Sequence, residues 1–192
     1  MSRLASPFVL ARAFTLMKTL MILIATVTTA AAQWAAPKSP AVPQADGYVE
    51  IPNAALAPTT ESKYKAIFDA TRPADKATEL VPALNMAGSE LNALAAAKVS
   101  LSNANFAVVF HGPAVDAILD NDHYKAKFAT DNPNLKVIAE MKKQGVEFFV
   151  CGQYLAGEKI DPKSLTRDVT VAADALLVLM HYQNRGYALM SF

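Results

Sequence analysis

The sequence predicts an α/β domain built on a mostly parallel sheet with helices on both faces. Residues 106–110 form an unbroken apolar run of strand length, the composition of a strand buried on both sides. Strand-like and helix-like segments alternate from residue 64 to the end, and parallel neighbours need the crossover connections that such helices supply. About 130 residues suffice for one core of this kind.

Each element has its own signal. Tyr64-Lys65-Ala66-Ile67-Phe68-Asp69-Ala70 reads as the first strand, closed by a turn at Thr71-Arg72-Pro73. Pro82 suits the first turn of a helix, along which Leu84, Ala87, Leu91 and Leu94 recur on one face until about Ala97. His111-Gly112-Pro113 breaks the second strand, and a short helix at 114–119 with a turn or two near Tyr124 follows. Asn132 can cap the next helix, with Pro133 in its first position. Leu135, Ile138 and Met141 give that helix a buried stripe, Lys142 and Lys143 suit its negative end, and Gly145 stops it.

Residues 146–150 read as a third strand, from which Cys151-Gly152-Gln153 leads into a short helix. Asp161-Pro162 opens a further helical turn, and 168–171 suits a short strand. The last helix is expected over 172–185, with Leu176, Leu179 and Met180 inward and Gly186 as terminator, before a strand at 187–191.

Ahead of this domain, residues 1–32 hold no acidic residue, carry Arg3, Arg12 and Lys18, and run apolar over 20–27 before small residues. That is the grammar of a secretory signal, with cleavage expected after Ala32 and a periplasmic or secreted product. The apolar run falls short of the about 20 residues of a permanent span, so membrane attachment is expected only through an uncleaved leader. Met17-Lys18 is an alternative start to Met1. Residues 33–62, rich in Ala, Pro and Thr, read as a linker or wrapping arm, and 63–192 as the domain.

Loss of the three leader cations would take the formal charge from +1 to −2, leaving no basic excess for nucleic acid. A single cysteine excludes an intrachain disulfide. Met86, Met141, Met180 and Met190 are soft ligand types, but each falls on an apolar stripe or strand, and no Cys/His/Met cluster has ligand spacing. No metal and no cofactor are expected.

Sites in open α/β sheets gather at the carboxyl ends of the strands. Asp69, His111 and Cys151 stand there on strands one, two and three, so a carboxylate, an imidazole and a thiol would share one rim. Cys151 also precedes a helix, whose amino end favours thiolate, and Gly152 would leave room for another sulfur or a partner loop to approach. Read the other way, Cys151 is a small hydrophobe closing an apolar strand, His111 a loop-bonded imidazole and Asp69 a turn residue. His123 and His181 fall in helical stretches and read as structural.

Three ordered blocks carry a resemblance: Ala107-Val108-Val109-Phe110-His111-Gly112-Pro113, then Asn132-Pro133-Asn134-Leu135 through Gly145-Val146-Glu147 to Val150-Cys151-Gly152-Gln153, and Gly186-Tyr187-Ala188. Over 63–192 the chain resembles exported single-domain members of the DsrE/DsrF family. The resemblance implies a three-layer α/β/α fold with a mainly parallel five-stranded sheet, and a homo-oligomer, trimer or hexamer. It also implies that the residue matching Cys151 carries sulfur as a persulfide between donor and acceptor proteins. His111 and Gln153 match blocks of exported members without an assigned chemical role. The competing expectation is an exported oligomeric module that binds a ligand or partner, with Cys151 part of the wall.

Overall fold

The computed structural model describes residues 34–192, so the expected leader lies outside the described residues. The elements are β1 (Tyr64–Ala70), α1 (Pro82–Ala96), β2 (Ala104–Phe110), a 3-10 stretch (Gly112–Ile118), α2 (Asn121–Phe128), α3 (Asn134–Lys143), β3 (Glu147–Cys151), α4 (Gly152–Glu158), β4 (Thr170–Ala172), α5 (Ala175–Asn184) and β5 (Ala188–Ser191). Among them no helix is long and apolar enough to cross a membrane.

The five strands form one all-parallel sheet in the order β4-β3-β2-β1-β5. From β1 to β4 the chain steps outward in one direction, then returns past β1 to place β5 on the far side. Right-handed crossovers require the return helix to lie on the face opposite the outward ones. Accordingly α1 and α3 pack with Phe68, Val108, Phe110, Phe148 and Val150 on one face. On the other, α5 alone covers Ile67, Ala107, Val109 and Cys151.

Local signals explain the element ends. Pro82 opens α1 as expected, and the helix closes on Lys98 in the left-handed region (φ 61), with Val99 N–H donating to Leu94 O at 2.9 Å. Asn132 does the capping foreseen for α3 from one residue further out: its Oδ1 accepts Asn134 N–H at 2.9 Å, while Pro133 occupies the cap position. Helix α2 is longer than the expected turn or two. Asp120 caps it at His123 N–H, and Ala129 ends it at φ 59.

Two expectations need correction. The last helix begins at Ala175 because Asp174 caps it, and its inward residues are Ala175, Val178, Leu179 and Tyr182. Leu176 and Met180, expected inside, are 57% and 51% exposed. Of the methionines placed on apolar stripes, Met141 is fully buried, whereas Met180 and Met190 reach the surface.

The arm is ordered against the domain. Lys38 and Tyr48 form an isolated antiparallel bridge, and the loop between them inserts Val42 and Ala45 into the core beside α1. Asn92 of α1, itself buried, fastens this loop with every hydrogen-bonding group it has. Its Oδ1 accepts Ala41 and Val42 N–H at 2.9 and 2.8 Å, and its Nδ2 donates to Val42 and Asp46 carbonyls at 3.0 and 3.1 Å. Burial of Val42 adds about 2 kcal/mol of apolar stabilisation. Gly88 lets the loop approach: a Cβ there would stand 2.5 Å from Ala45 Cβ.

Candidate functional site

The carboxyl edge of the sheet is formed by the ends of β1, β2 and β3, which are neighbours in that order. Val109 is in register with Asp69 and Phe149, and Phe110 with Val150. One residue further, His111 stands beside Cys151 across the about 5 Å that separates adjacent strands. Alternation along each strand places Asp69, His111 and Cys151 on the face that α5 covers. The rim inferred from the sequence is therefore present, and its three side chains share one face.

They do not form one network. His111 turns toward β1, where its Nε2 lies 2.6 Å from Asp69 Oδ1 with both side chains largely shielded from solvent. Asp69 is thus the imidazole's partner rather than a turn residue. Backbone fixes the same corner, since His111 N–H donates to Ala70 O at 3.0 Å.

Cys151 turns the other way. Its thiol donates to Asp174 Oδ1 at 3.8 Å, and that oxygen also accepts Leu176 N–H at 3.0 Å to cap α5. Cys151 occupies the cap position of the seven-residue α4, yet its side chain makes no bond to the first amides of that helix. The helix end expected to face the sulfur is therefore not used by it, and the Asp174 carboxylate accepts the thiol hydrogen instead. The residue is only 6% exposed, packed among Ile67, Val109 and Val178. The open rim foreseen for an accessible anion is in fact nearly closed over the sulfur.

Asp174 is the residue that sequence reasoning missed. It lies 23 positions from Cys151. Only the pairing of β3 with β4, which sets Ala172 opposite Cys151, brings it alongside. A signal existed in the chain: Asp174 before the apolar run 175–180 is a helix cap.

Gly152 has a different reason from the one its sequence suggested. A Cβ there would lie 2.7 Å from Ala172 O and 3.3 Å from Ala173 O. The space is filled by this chain's own β4–α5 connection, leaving none for a visiting loop. Gln153 is exposed on the first turn of α4. His123 and His181 are exposed on helices, His123 bonding to its own helix cap Asp120 at 2.7 Å.

Behind the site, Tyr182 packs against Phe149 and Tyr187 with ring centroids 5.8 and 4.8 Å apart. Burial, with the Glu147 carboxylate beside it, pushes its phenol far above the ordinary tyrosine range.

Fold and edge together define an α/β protein with a shielded cysteine at the carboxyl end of a parallel sheet. The chain belongs to the DsrE/DsrF-like family, whose model matches residues 64–192. Two solved structures are similar in fold. One is the protein of unknown function MTH1491 from Methanobacterium thermoautotrophicum, 18% identical, covering 68% of this chain and 100% of its own, with a TM-score of 0.50. The other is the ychN protein from E. coli, 18% identical, covering 67% of this chain and 99% of its own, also at 0.50. No curated protein matches the sequence.

Proposed function

We propose that the chain is an exported sulfur carrier, periplasmic or secreted after cleavage near Ala32, that holds a persulfide on Cys151. Membership of a family whose fold is associated with sulfur relay supports the reading. The observation that carries it is the position of Cys151: the last residue of β3, at the carboxyl edge, with Asp174 holding its thiol hydrogen.

Cys151 Sγ attacks the outer sulfur of a persulfide or polysulfide donor. The Sγ–S bond forms as the donor's S–S bond breaks, and the donor sulfur leaves with the electron pair and takes up the proton from Cys151. The transferred sulfur keeps its oxidation state, so no oxidant, reductant or cofactor enters. An acceptor thiolate then attacks the outer sulfur and restores Cys151. Burial protects both thiol and persulfide in an oxidising compartment.

The outward face of α5 supports a homo-oligomer, the trimer or hexamer that the resemblance implied. Leu176, Leu177 and Met180 are exposed beside the site, and an exposed apolar patch of this kind ordinarily marks a contact surface. Donor and acceptor proteins would meet this same edge.

Exposure to polysulfide should add about 32 Da per sulfur to the purified protein by intact mass. Equal labelling of Cys151→Ala would refute the assignment. The rival reading, a binding module with Cys151 in its wall, is favoured by the 6% exposure of the residue. Complete inertness of the folded protein toward iodoacetamide and polysulfide would decide for it. Intact mass also checks cleavage at Ala32.

A further inference from the structure

The face opposite Cys151 holds a second candidate site. On that face α1 packs on β1 and β2, and among the described residues edge strand β5 has its main helix contact with α5, on the other face, which leaves a gap beside α1. The gap is a cavity of about 300 Å³ walled by Tyr64, Phe68, Phe106, Phe192, Met86 and Met190. It shares Tyr64, Glu90 and Phe106 as wall residues with a second depression of about 330 Å³ that runs to Tyr48 on the arm. Each lobe reaches the size of a small-molecule site, and an aromatic lining with a few polar groups is the ordinary composition of one; Lys63, Lys65 and Glu90 are the charged residues at the first lobe.

Glu90 sits where the lobes meet. Glu90 is an exposed residue, yet the atoms around its carboxyl desolvate it enough to raise it above the usual glutamate range. Among the described residues no Lys, Arg or His pairs with it. The two lysines at the cavity are directed elsewhere. Lys63 donates to Asn103 Oδ1 and Ser102 O, and Lys65 reaches Arg185 O and the ring of Tyr187 beyond the other side of the sheet. A carboxylate without a cation, set between aromatic walls, is complementary to a positive charge on an apolar body.

We propose that this cleft binds an organic cation with an aromatic or alkyl body, its charge held by Glu90 and the rings of Tyr64 and Phe106. Phe68, in edge contact with Phe106 at 5.3 Å and stacked on Phe192 at 6.3 Å, fixes the floor of the deeper lobe. Met86 and Met190 supply adaptable walls on either side of it.

The test uses protein labelled with carbon-13 at its methionine methyls and titrated with benzyltrimethylammonium. Saturable shifts are expected at Met86 and Met190, with the core Met141 unmoved, and Glu90→Gln should weaken binding roughly tenfold. An unchanged methyl spectrum of the free variant verifies its fold. Absence of saturation, equal affinity of Glu90→Gln, or shifts confined to other methionines would overturn the proposal. So would movement of the Met86 and Met190 signals on simple dilution, which would assign the cleft to a second copy of the chain.

Discussion

Asp174 serves Cys151 and α5 through one oxygen: Oδ1 accepts the thiol at 3.8 Å and Leu176 N–H at 3.0 Å. The two functions separate on substitution. Asp174→Asn keeps a side-chain oxygen for the cap but removes the negative charge beside the sulfur, so iodoacetamide should react with Cys151 faster at pH 7, with stability nearly unchanged. Asp174→Ala loses the cap and should cost about 1 kcal/mol in urea unfolding. Slower alkylation of the Asn variant would contradict the charge argument.

The His111–Asp69 pair should behave as a structural corner. His111→Ala leaves the Asp69 carboxylate shielded and unpartnered, with an expected loss of about 1.5 kcal/mol. Asp69→Asn, which retains an acceptor oxygen, should cost less than Asp69→Ala. Chemical denaturation of the three variants checks the order.

Tyr182 gives the fold an alkaline limit. Its phenol is raised in the folded state, so the folded protein retains a proton that the unfolded chain releases near the ordinary tyrosine value of about 10. The stabilisation is fully present below that pH and is lost as pH rises through the folded value. Tyr182→Phe should flatten the decline of melting temperature above about pH 10.

At Gly88 two effects oppose each other. Alanine improves helix propensity by about 1 kcal/mol, but its Cβ would stand 2.5 Å from Ala45 Cβ, an overlap of the kind that costs about 1–3 kcal/mol. Gly88→Ala should therefore lower stability or lift the loop around Val42, which limited proteolysis of the arm would detect.

The outer face of α5 is the place to test assembly. Leu177→Lys should reduce the mass measured by light scattering without loss of helical signal, because Leu177 is exposed in the single chain. Unchanged mass would remove α5 from the oligomer interface.

How much of this was legible follows from where the signals lie. Strand β2 announces itself as an apolar run, and Asp69, His111 and Cys151 could be placed on one edge because a parallel sheet aligns its carboxyl ends. Helix α5 hid its phase: Leu176, Leu177, Val178, Leu179 and Met180 are consecutive apolar residues and carry no period. The length of α2 was obscured by polarity, since Tyr124 is its buried residue. Asp174 and the backbone at Ala172 reach Cys151 and Gly152 only through the β3–β4 pairing, which local spacing does not encode.

Asn92 and the loop it grips are separated by 50 residues of chain. That separation sets an order of events. The grip requires a completed α1, so a chain emerging amino end first must leave the segment around Val42 waiting until the helix has formed.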